Sequence, residues 1–571
     1  MWVLPFLNYY HAYPLTTFYQ EWGAVALGLG AMLLLAGRRC WLTPEVPRIV
    51  LLPLGMLLIV VLQLFLGRIA FPGQALLYAL YLLWAMLLIM LGRQLRNEFG
   101  LPAVATVLAS FLLLGGELSA LVGLLQNYRW HTFLDSVVTV KLNSAVYGNI
   151  AQPNHFADYL VLGLASLGLL FARGAMRGWQ VTLLALPMLY VLPLSGSRST
   201  WLYLIAMIGL SFVWRRSDHA LRPLLRYSLL VLLGFVLMHL VVHLPWLAGS
   251  TGEVTGVQRL FDQASGGIRL HLWYEAMLIC SHFPLLGAGF GQFAWQHFLL
   301  GPQLRDTGMT GLYNHAHNIV MQLAAETGLA GLLVLFATLL PWLWRARRTE
   351  RTPERWWGYA LLAVLGIHSL LEYPLWYAYF LGIAALLLGM LETRCFQLEL
   401  RNVGRATVVL MLVLGASSLL QLLQGYRSIE TLIALRPTSA ADSGYVEHMR
   451  DGLHKVREQV LLQPYADLFI DSTLDDGSRH ITEKLAYNTA VLHFVPISSV
   501  AYRQALLLAQ AGKVQAAEAQ MERAIWSYPQ EFSSTLGRLE GMARSDPGRF
   551  AALLEFAIRK NEEYRSAVHR K

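Results

Sequence analysis

Apolar runs long enough to cross a lipid bilayer recur through most of this chain, and they restrict its fold more than any other feature. A helix needs ~20 mostly apolar residues to cross a hydrocarbon core of ~30 Å. Backbone polar groups find no water there, so a spanning segment must satisfy its own hydrogen bonds. About twelve runs qualify, near residues 20–37, 49–66, 73–91, 101–125, 156–172, 179–194, 200–214, 224–247, 317–344, 357–371, 375–391 and 406–424. The sequence therefore predicts an all-α, polytopic membrane protein with about twelve transmembrane helices.

Composition supports this fold class. The 571 residues are 56% hydrophobic and 14% charged, which is too apolar for a soluble multidomain protein. The formal net charge of +9 belongs to the apolar part of the chain, where it orients helices and does not indicate nucleic acid as a partner. The three cysteines, Cys40, Cys280 and Cys395, fall in different predicted environments, so no disulfide is expected.

Basic residues are distributed unequally among the predicted loops. Six short loops hold 19 of the 26 Lys and Arg residues before position 426. The positive-inside rule places these loops in the cytoplasm. The first 22 residues contain no Lys or Arg, unlike a cleaved signal peptide, so we expect the first span to be retained. Both termini then face outward.

Two segments outside the spans are long enough to carry structure. The outward loop 248–316 contains apolar residues at helical spacing, which predicts an amphipathic helix on the membrane surface: Leu270, Trp273, Met277 and Leu278. Three glycines mark a tight turn after it: Gly287, Gly289 and Gly291. Residues 426–571 form a second predicted domain, separate from the membrane domain 1–425. Its helix-hairpin pattern around Gly512 and Pro529 favours either a tetratricopeptide-like (TPR-like) pair or an irregular helical domain.

Four polar motifs lie at the outer ends of spans in this topology. They are GNIAQPNHFADYL (148–160), PLSGSRSTWL (193–202), LYNHAHNIVMQ (312–322) and HSLLEYPLWY (368–377). Polar residues that only hold helices together would be scattered in depth. The four motifs instead converge on one membrane face, which predicts a single site there, in one outward-facing cavity.

Several of these residues also have a purely structural interpretation. Gln152, Asn154 and His155 surround a proline, a pattern that begins ordinary helices. Lipid headgroups alone would satisfy Arg198 or Arg269 at the membrane surface.

The third motif leaves two questions open. On a helix the directions of His315 and His317 differ by roughly 200°, so they would share a metal only in an unwound segment, and no acidic cluster adds ligands at the usual spacing. Asn318, Gln322 and Glu326 share one helix face, which either lines the mouth of the cavity or binds a neighbouring helix.

The acidic residues leave similar alternatives. Glu117 lies inside a span and is therefore a functional candidate, with packing as the alternative. Glu372 and Tyr373 precede Pro374, which ends the helix at an outer turn. They belong either to the site or to an ordinary loop.

These residue types suit a substrate with an anionic head at the membrane surface and a tail in lipid. The guanidinium groups of Arg198 and Arg269 match phosphate oxygens. A sugar attached to such a lipid would be transferred to a nucleophile activated by a base, and an imidazole with a pKa near ~6.5 suits that role. His317 is our candidate. Arginine then neutralises the leaving group, and neither a metal nor a cofactor is expected.

The motifs also resemble a known family. His317-Asn318, nine further residues and Gly328-Leu-Ala-Gly331 resemble the HN-x9-GxxG signature of bacterial O-antigen ligases and related oligosaccharide-transferring membrane enzymes. GNIAQPNH, SGSRSTW, HSLLEYPLWY and the long outward loop resemble more closely the PglL-type pilin O-oligosaccharyltransferases of Gram-negative inner membranes. This resemblance covers most of residues 1–425, and a helical C-terminal extension is also a trait of that family.

The resemblance implies transfer of a preassembled oligosaccharide from undecaprenyl pyrophosphate to a Ser or Thr hydroxyl of a periplasmic protein, often a type IV pilin. The single displacement inverts the anomeric carbon. By the match of motifs, His317 is the essential histidine. Tyr373 is a second catalytic position, with Glu372 beside it. Arg198 and Arg269 are the contacts to the pyrophosphate. Supporting residues are His315, Asn318, Gln322, Asn154, His155 and Gln152. It also implies an inner-membrane location with the active site and both termini in the periplasm.

Other functions remain open. An O-antigen ligase acting on a lipid A core sugar, or a polymerase of repeat units, shares the fold and much of the site. The C-terminal domain of about 145 residues favours a protein acceptor. A lipid-glycan transporter would show inverted repeats and polar residues at the bilayer midplane, and neither is evident.

Overall fold

The computed structural model describes residues 1–36, 41–142, 144–215, 221–244, 264–435, 443–475 and 477–570. Predictions that involve Cys40 or the first part of the loop 248–316 lie outside these residues. In chain order the helices are α1 Phe18–Ala36, α2 Leu51–Phe65, α3 Pro72–Phe99, α4 Leu101–Tyr128, α5 Pro153–Ala172, α6 Gly178–Leu194, α7 Ser199–Arg215, α8 Arg222–Val241, α9 Ala264–His282, α10 Phe293–Leu304, α11 Ile319–Ala346, α12 Pro353–Leu371, α13 Ala378–Leu391 and α14 Arg401–Ala434. The C-terminal helices are α15 Ser443–Arg457, α16 Gln463–Ser472, α17 Ile481–Phe494, α18 Ser498–Gln510, α19 Val514–Ser527, α20 Phe532–Ser545 and α21 Pro547–His569. Two short strands, β1 Glu45–Pro47 and β2 Cys395–Gln397, pair antiparallel.

The helical fold class is confirmed, and the described part of each predicted apolar run falls mainly on a helix. In the described part of the chain, eight helices are long and apolar enough to cross a membrane: Phe18–Leu35, Arg48–Phe65, Pro72–Phe99, Leu101–Tyr128, Pro153–Ala172, Arg222–Val241, Ile319–Ala346 and Arg401–Ala434. Helices α6, α7 and α13 are apolar but have 17, 17 and 14 residues. At ~1.5 Å per residue they are shorter than the hydrocarbon core is thick. The count of twelve spans therefore stays a prediction.

The described residues group into two compact units. Unit 1 comprises Met1–Gly55, Tyr81–Ser265 and Val334–Leu419, and unit 2 comprises Met56–Leu80, Gly266–Leu333 and Leu420–Lys571. The last change from unit 1 to unit 2, at 419–420, lies close to the domain boundary predicted at 425–426. However, unit 2 also contains two earlier segments of the chain. The predicted two-domain division stays a prediction.

Helix α5 is the centre of unit 1. It is almost wholly buried and packs against α4, α6, α7, α8 and α12. Two indole N–H groups of α12 donate to serine hydroxyls, Trp356 to Ser211 of α7 at 2.9 Å and Trp357 to Ser166 of α5 at 3.0 Å. Such interhelical hydrogen bonds hold spans together where the hydrophobic effect between helices is weak. They fix α12, whose C-terminal end carries the fourth polar motif.

Unit 2 joins the described part of the outward loop to the C-terminal helices. Phe298 of α10 belongs to the same hydrophobic core as residues of α17 to α21. The predicted hairpin around Gly512 is present as α18 and α19, connected at Ala511–Lys513. Its assignment as a TPR-like pair stays a prediction.

Candidate functional site

The start of α11 is fixed by a side chain of the third motif. Asn318 precedes the helix, and its Oδ1 accepts hydrogen bonds from the backbone N–H groups of Val320 (2.9 Å) and Met321 (3.3 Å). This contact is an N-cap, which satisfies donors that the first turn of a helix leaves unpaired. Asn318 therefore sets the point at which the preceding histidine departs from the helix.

His317 has a backbone conformation that residues with a side chain rarely adopt. Its φ is 51°, in the left-handed region, which a non-glycine residue occupies at a cost in free energy. Gln322 supports this turn, because its Oε1 accepts from the N–H of Ala316 at 2.6 Å, while the Ala316 carbonyl accepts from the Trp273 indole at 3.0 Å. The His317 side chain is partly exposed. The structure thus holds this imidazole outside the helix and accessible.

His315 lies in the same non-helical stretch and is partly exposed. The unwound backbone removes the angular separation that a helix would impose on the two histidines. Within the described ranges, no group of three or more His, Cys, Asp or Glu side chains could hold a metal ion.

The predicted polar stripe is largely buried. Gln322 and Glu326 are 2% and 1% exposed. The Glu326 carboxylate accepts from the N–H of Phe293, at 3.2 Å, and its carbonyl accepts from the side chain of Gln63, at 2.7 Å. Of the two interpretations of this stripe, the contacts favour binding to neighbouring segments.

The GxxG part of the signature marks a break in α11. Gly328 has φ 61° and ψ −156°, outside the helical region. The N–H groups freed by the break are taken by the preceding loop, Leu329 donating to the Pro284 carbonyl at 2.8 Å and Ala330 to the Leu285 carbonyl at 3.0 Å. A Cβ at Gly328 would lie 2.6 Å from the Pro284 oxygen. The position therefore excludes a side chain for two reasons, conformation and space.

The predicted glycine turn is present and packs on this break. Gly287, Gly289 and Gly291 all have positive φ. The N–H of Ala288 donates to the Ala325 carbonyl at 2.9 Å. The fully buried side chain of Gln63 accepts a hydrogen bond from the backbone N–H of Phe290 at 2.9 Å. This turn is therefore held both by the backbone of α11 and by the side chain of Gln63.

Arg269 lies on α9, the amphipathic helix predicted in the outward loop. The helix buries Leu272, Ala276 and Ile279. Leu270 and Met277 on its other side are 64% and 53% exposed, an apolar surface that suits lipid contact. Arg269 is partly exposed.

Sequence reasoning missed a chain of titratable side chains beside α9. The two carboxylate oxygens of Glu275 contact His271 Nε2 at 3.1 Å and His297 Nδ1 at 2.8 Å, and His271 Nδ1 contacts Asp306 at 3.0 Å. Burial raises the pKa of Glu275, but the hydrogen bonds from both histidines outweigh it, so the pKa lies below the ordinary value. Glu275 is therefore an ionised buried carboxylate between two imidazoles.

In unit 1, the first motif begins α5 in the manner that the structural alternative describes. Gln152 is the N-cap, and its side chain accepts from the N–H of His155 at 2.5 Å, with Pro153 at the first helical position. His155 is buried, and its ring packs at 4.8 Å from the ring of Tyr377. These residues act in helix initiation and packing, whatever further role they have.

Two polar contacts join α5 to α12. Asn154 donates to the carboxylate of Glu372 at 3.2 Å, and one turn deeper Asp158 Oδ2 and His368 Nδ1 are 2.7 Å apart. Asp158 and His368 are fully buried. The second oxygen of Asp158 and Nε2 of His368 have no partner among the described residues.

Tyr373 lies between the end of α12 and a short 3-10 helix, Pro374–Trp376. Its ring stacks on Tyr377 with centroids 6.0 Å apart. Burial, followed by the neighbouring Glu372, raises the pKa of Tyr373. The phenol therefore keeps its proton at neutral pH and is available as a hydrogen-bond donor.

Arg198 lies in the turn between α6 and α7. It is partly exposed, whereas Ser197 and Ser199 on either side are buried. Arg198 therefore extends from a closely packed turn.

Glu117 lies within α4 and is half-buried.

Spacing could have revealed one of the missed pairs. Asp158 is four residues after Asn154, and His368 is four residues before Glu372, all inside quoted motifs. Residues four apart share a helix face. His271 and Glu275 show the same spacing on α9. His297 and Asp306 carry no comparable signal, since their contacts depend on how the loop folds.

Comparisons with known proteins agree with this architecture. Residues 146–171 match a family described as protein glycosylation ligase, residues 183–336 match O-antigen ligase, and residues 356–537 match the C-terminal region of a virulence factor membrane-bound polymerase. A general O-oligosaccharyltransferase of Acinetobacter baylyi is 27% identical over 429 residues, 72% of each chain. A ComP-specific O-oligosaccharyltransferase of the same organism is 22% identical over 275 residues, 48% of each chain.

The family matches and the two relatives together support a PglL-type enzyme within the O-antigen ligase superfamily.

Proposed function

We propose that the protein transfers a preassembled oligosaccharide from undecaprenyl pyrophosphate to a serine or threonine hydroxyl of a periplasmic protein, such as a type IV pilin. One observation carries the proposal, the similarity to the general O-oligosaccharyltransferase of A. baylyi over 72% of the chain. The partly exposed His317 before the start of α11, with its strained backbone, supports it, because strain of this kind is commonly stored at functional positions.

In the proposed single displacement, His317 accepts the proton of the acceptor hydroxyl while the hydroxyl oxygen attacks the anomeric carbon. The new carbon–oxygen bond forms on the face opposite the pyrophosphate. The bond to the pyrophosphate breaks, and its electron pair leaves with the phosphate oxygen, so the configuration inverts. A neutral imidazole is a suitable base near physiological pH.

The charge that develops on the pyrophosphate needs cationic partners. Arg198 and Arg269 are partly exposed, permanently charged, and able to donate two parallel hydrogen bonds to phosphate oxygens. With guanidinium groups in this role, the proposed transfer requires neither a metal ion nor a cofactor.

Tyr373 and Glu372 are the proposed catalytic pair of unit 1. The protonated phenol of Tyr373 would donate a hydrogen bond to a substrate oxygen, and Asn154 orients Glu372 through the contact at 3.2 Å. His315, Asn318, Gln322, His155 and Gln152 are proposed to support the site through the caps and packing described above.

The same reaction determines the proposed location. A lipid-linked donor and a secreted acceptor meet at the outer face of a bacterial inner membrane. We therefore propose a periplasmic active site with both termini on that side, in accordance with the distribution of basic loops.

A second candidate is transfer to a glycan, as in O-antigen ligation or polymerisation. It is favoured by the matches of residues 183–336 and 356–537 to an O-antigen ligase and a polymerase.

The test is co-expression of the full chain with a lipid-linked glycan and a pilin-like acceptor, followed by intact-mass measurement of the acceptor. A mass increase of one whole oligosaccharide is expected. His317→Ala should abolish it at unchanged membrane abundance, whereas His282→Ala, an exposed histidine of α9, should not. Glycan attached to lipopolysaccharide would favour the ligase, and an active His317→Ala variant would remove this residue from the base role.

A further inference from the structure

Three side chains at alternate positions of α9 fasten this helix to the segment that leads into His317. His271 contacts Asp306 at 3.0 Å, Trp273 donates to the carbonyl of Ala316 at 3.0 Å, and Glu275 contacts His297 at 2.8 Å. All of these residues belong to unit 2. The helix that carries Arg269 is therefore connected to this segment at His297 and Asp306, and again at Ala316, the residue directly before His317.

His271 is the central member of this set. Its Nε2 faces Glu275 at 3.1 Å and its Nδ1 faces Asp306 at 3.0 Å. An ionised carboxylate only accepts hydrogen bonds, and an imidazole donates from both ring nitrogens only when it is protonated. Both contacts are therefore satisfied together only by an imidazolium.

The charges of the two neighbours are consistent with this assignment. Glu275 is 2% exposed and is an ionised carboxylate, since its hydrogen bonds lower its pKa. The Asp306 side chain is 25% exposed. Its second oxygen accepts from the N–H of Gly308 at 2.9 Å, a contact typical of aspartate in a tight turn.

The other titratable or charged groups around the cluster come from α10, the following loop and α19. His297 contacts the second oxygen of Glu275, and its ring lies 5.3 Å from that of Tyr313. Arg305 lies over the ring of Trp526 at 5.8 Å and 3.9 Å from Glu522.

The next residues of the loop are bound to α19. The N–H of Gly311 donates to the carbonyl of Ser527 at 2.7 Å. The loop between Asp306 and His317 is therefore held at Asp306, at Gly311 and at Ala316. Of these three points, only the first depends on a titratable proton.

We infer that protonated His271 is a positioning residue for the proposed glycosyl transfer, because its two hydrogen bonds hold the loop that carries His317 against the helix that carries Arg269. The inference rests on the proposed function for its activity readout. Loss of one proton from His271 leaves one N–H for two carboxylates. The buried Glu275 keeps it, because water can solvate the partly exposed Asp306, so the loop is released at Asp306.

The contribution of His271 to the rate depends on pH. His271 must be protonated, so its contribution is present at low pH and is lost as pH rises through its titration. The alkaline limb of the kcat/KM profile therefore belongs to His271.

The activity test compares pH profiles of the full chain with a purified lipid-linked oligosaccharide and an acceptor peptide. In the wild type kcat/KM should fall on the alkaline side by at most about tenfold per pH unit, the limit for one titrating group, and then level off at the activity of His271→Phe. His271→Lys, whose ammonium stays charged, should retain activity there. His271→Phe should be lowered at all pH values and lack the alkaline limb, and His282→Gln on the same helix should match the wild type. Equal alkaline losses in the wild type and His271→Lys would overturn the inference.

A second measurement needs no activity. Hydrogen exchange of the backbone, expressed as protection factors, is followed for residues 305–318 at pH 6.5 and pH 8.5. Protection should fall in the wild type and remain in His271→Lys. Unchanged protection in the wild type would overturn the inference even if transfer is observed, whereas absence of transfer at every pH would overturn the proposed function alone.

Discussion

Asp158 and His368 form a hydrogen-bonded pair one helical turn below the contact between Asn154 and Glu372. The deeper pair joins Oδ2 to Nδ1 at 2.7 Å and the upper pair joins Nδ2 to Oε1 at 3.2 Å. Asn154 and Asp158 lie four positions apart on α5, while His368 lies in the last turn of α12 and Glu372 directly follows that helix. They set the register of the two helices, and that register places Tyr373 at the end of α12.

Removal of one member of the deeper pair should be strongly destabilising. Asp158→Ala leaves the imidazole without its buried partner, and loss of one partner of such a pair costs about 3–5 kcal/mol. Asp158→Asn keeps an oxygen that can accept from Nδ1 and should lose less. Thermal unfolding in detergent, compared with the wild type, checks the order. Equal stability of all three proteins would show that the pair does not set the register.

Gly328→Ala should disrupt unit 2. The residue has a positive φ, and its Cβ would lie 2.6 Å from the Pro284 oxygen. Gly366→Ala is a matched control, because nothing lies within 4 Å of its Cβ and alanine favours a helix. We expect Gly328→Ala to lower the yield of folded protein in size-exclusion chromatography, and Gly366→Ala to leave it unchanged. Normal folding of both would contradict the break as a strict requirement for glycine.

Gln322 should affect turnover through the position of His317. Gln322→Leu removes the acceptor for the Ala316 N–H, whereas Gln322→Glu retains an acceptor oxygen. Loss of a buried hydrogen bond costs about 1–3 kcal/mol, so kcat should fall roughly tenfold or more in the leucine variant and less in the glutamate variant. Steady-state kinetics with a fixed acceptor measure the difference. A change confined to KM would indicate direct contact with substrate.

Arg198→Lys should be impaired despite the retained charge. An ammonium is a point charge and does not reproduce the planar fork that binds two phosphate oxygens. The KM for the lipid-linked donor should rise while the KM for the acceptor stays constant, with Arg198→Ala more severe. Equal kinetics of Arg198→Lys and the wild type would assign this arginine to lipid headgroup contact, the alternative that its sequence position allows.

The Tyr373→Phe variant tests whether the phenol of Tyr373 donates a hydrogen bond to the substrate. Burial raises the pKa of Tyr373 above its ordinary value, which is near ~10, so the group does not titrate between pH 6 and pH 9. The variant should therefore be slower by a constant factor across this range. A factor that changes with pH would contradict the assignment, because it would require the phenol to ionise.

The sequence predicted what depends on local pattern. Apolar runs located the helices, the glycine spacing located the turn at 287–291, and the apolar spacing located α9. The broken helix at Gly328 and the buried location of Glu326 were not predictable in this way, because both depend on contacts with a loop about forty residues earlier in the chain. Asp158 and His368 were visible as residues, but their pairing requires the packing of α5 on α12.

The glycine turn and the break in α11 exchange backbone hydrogen bonds with each other, so neither is complete alone. Residues 284–289 and 325–330 are in effect one structural unit divided between two places in the chain. A chimaera that exchanges outward loops between relatives would need to transplant both pieces together. If only one piece is moved, the carbonyl groups of the loop would not align with the N–H groups that the break in α11 frees. The segment that carries His317 would then be displaced.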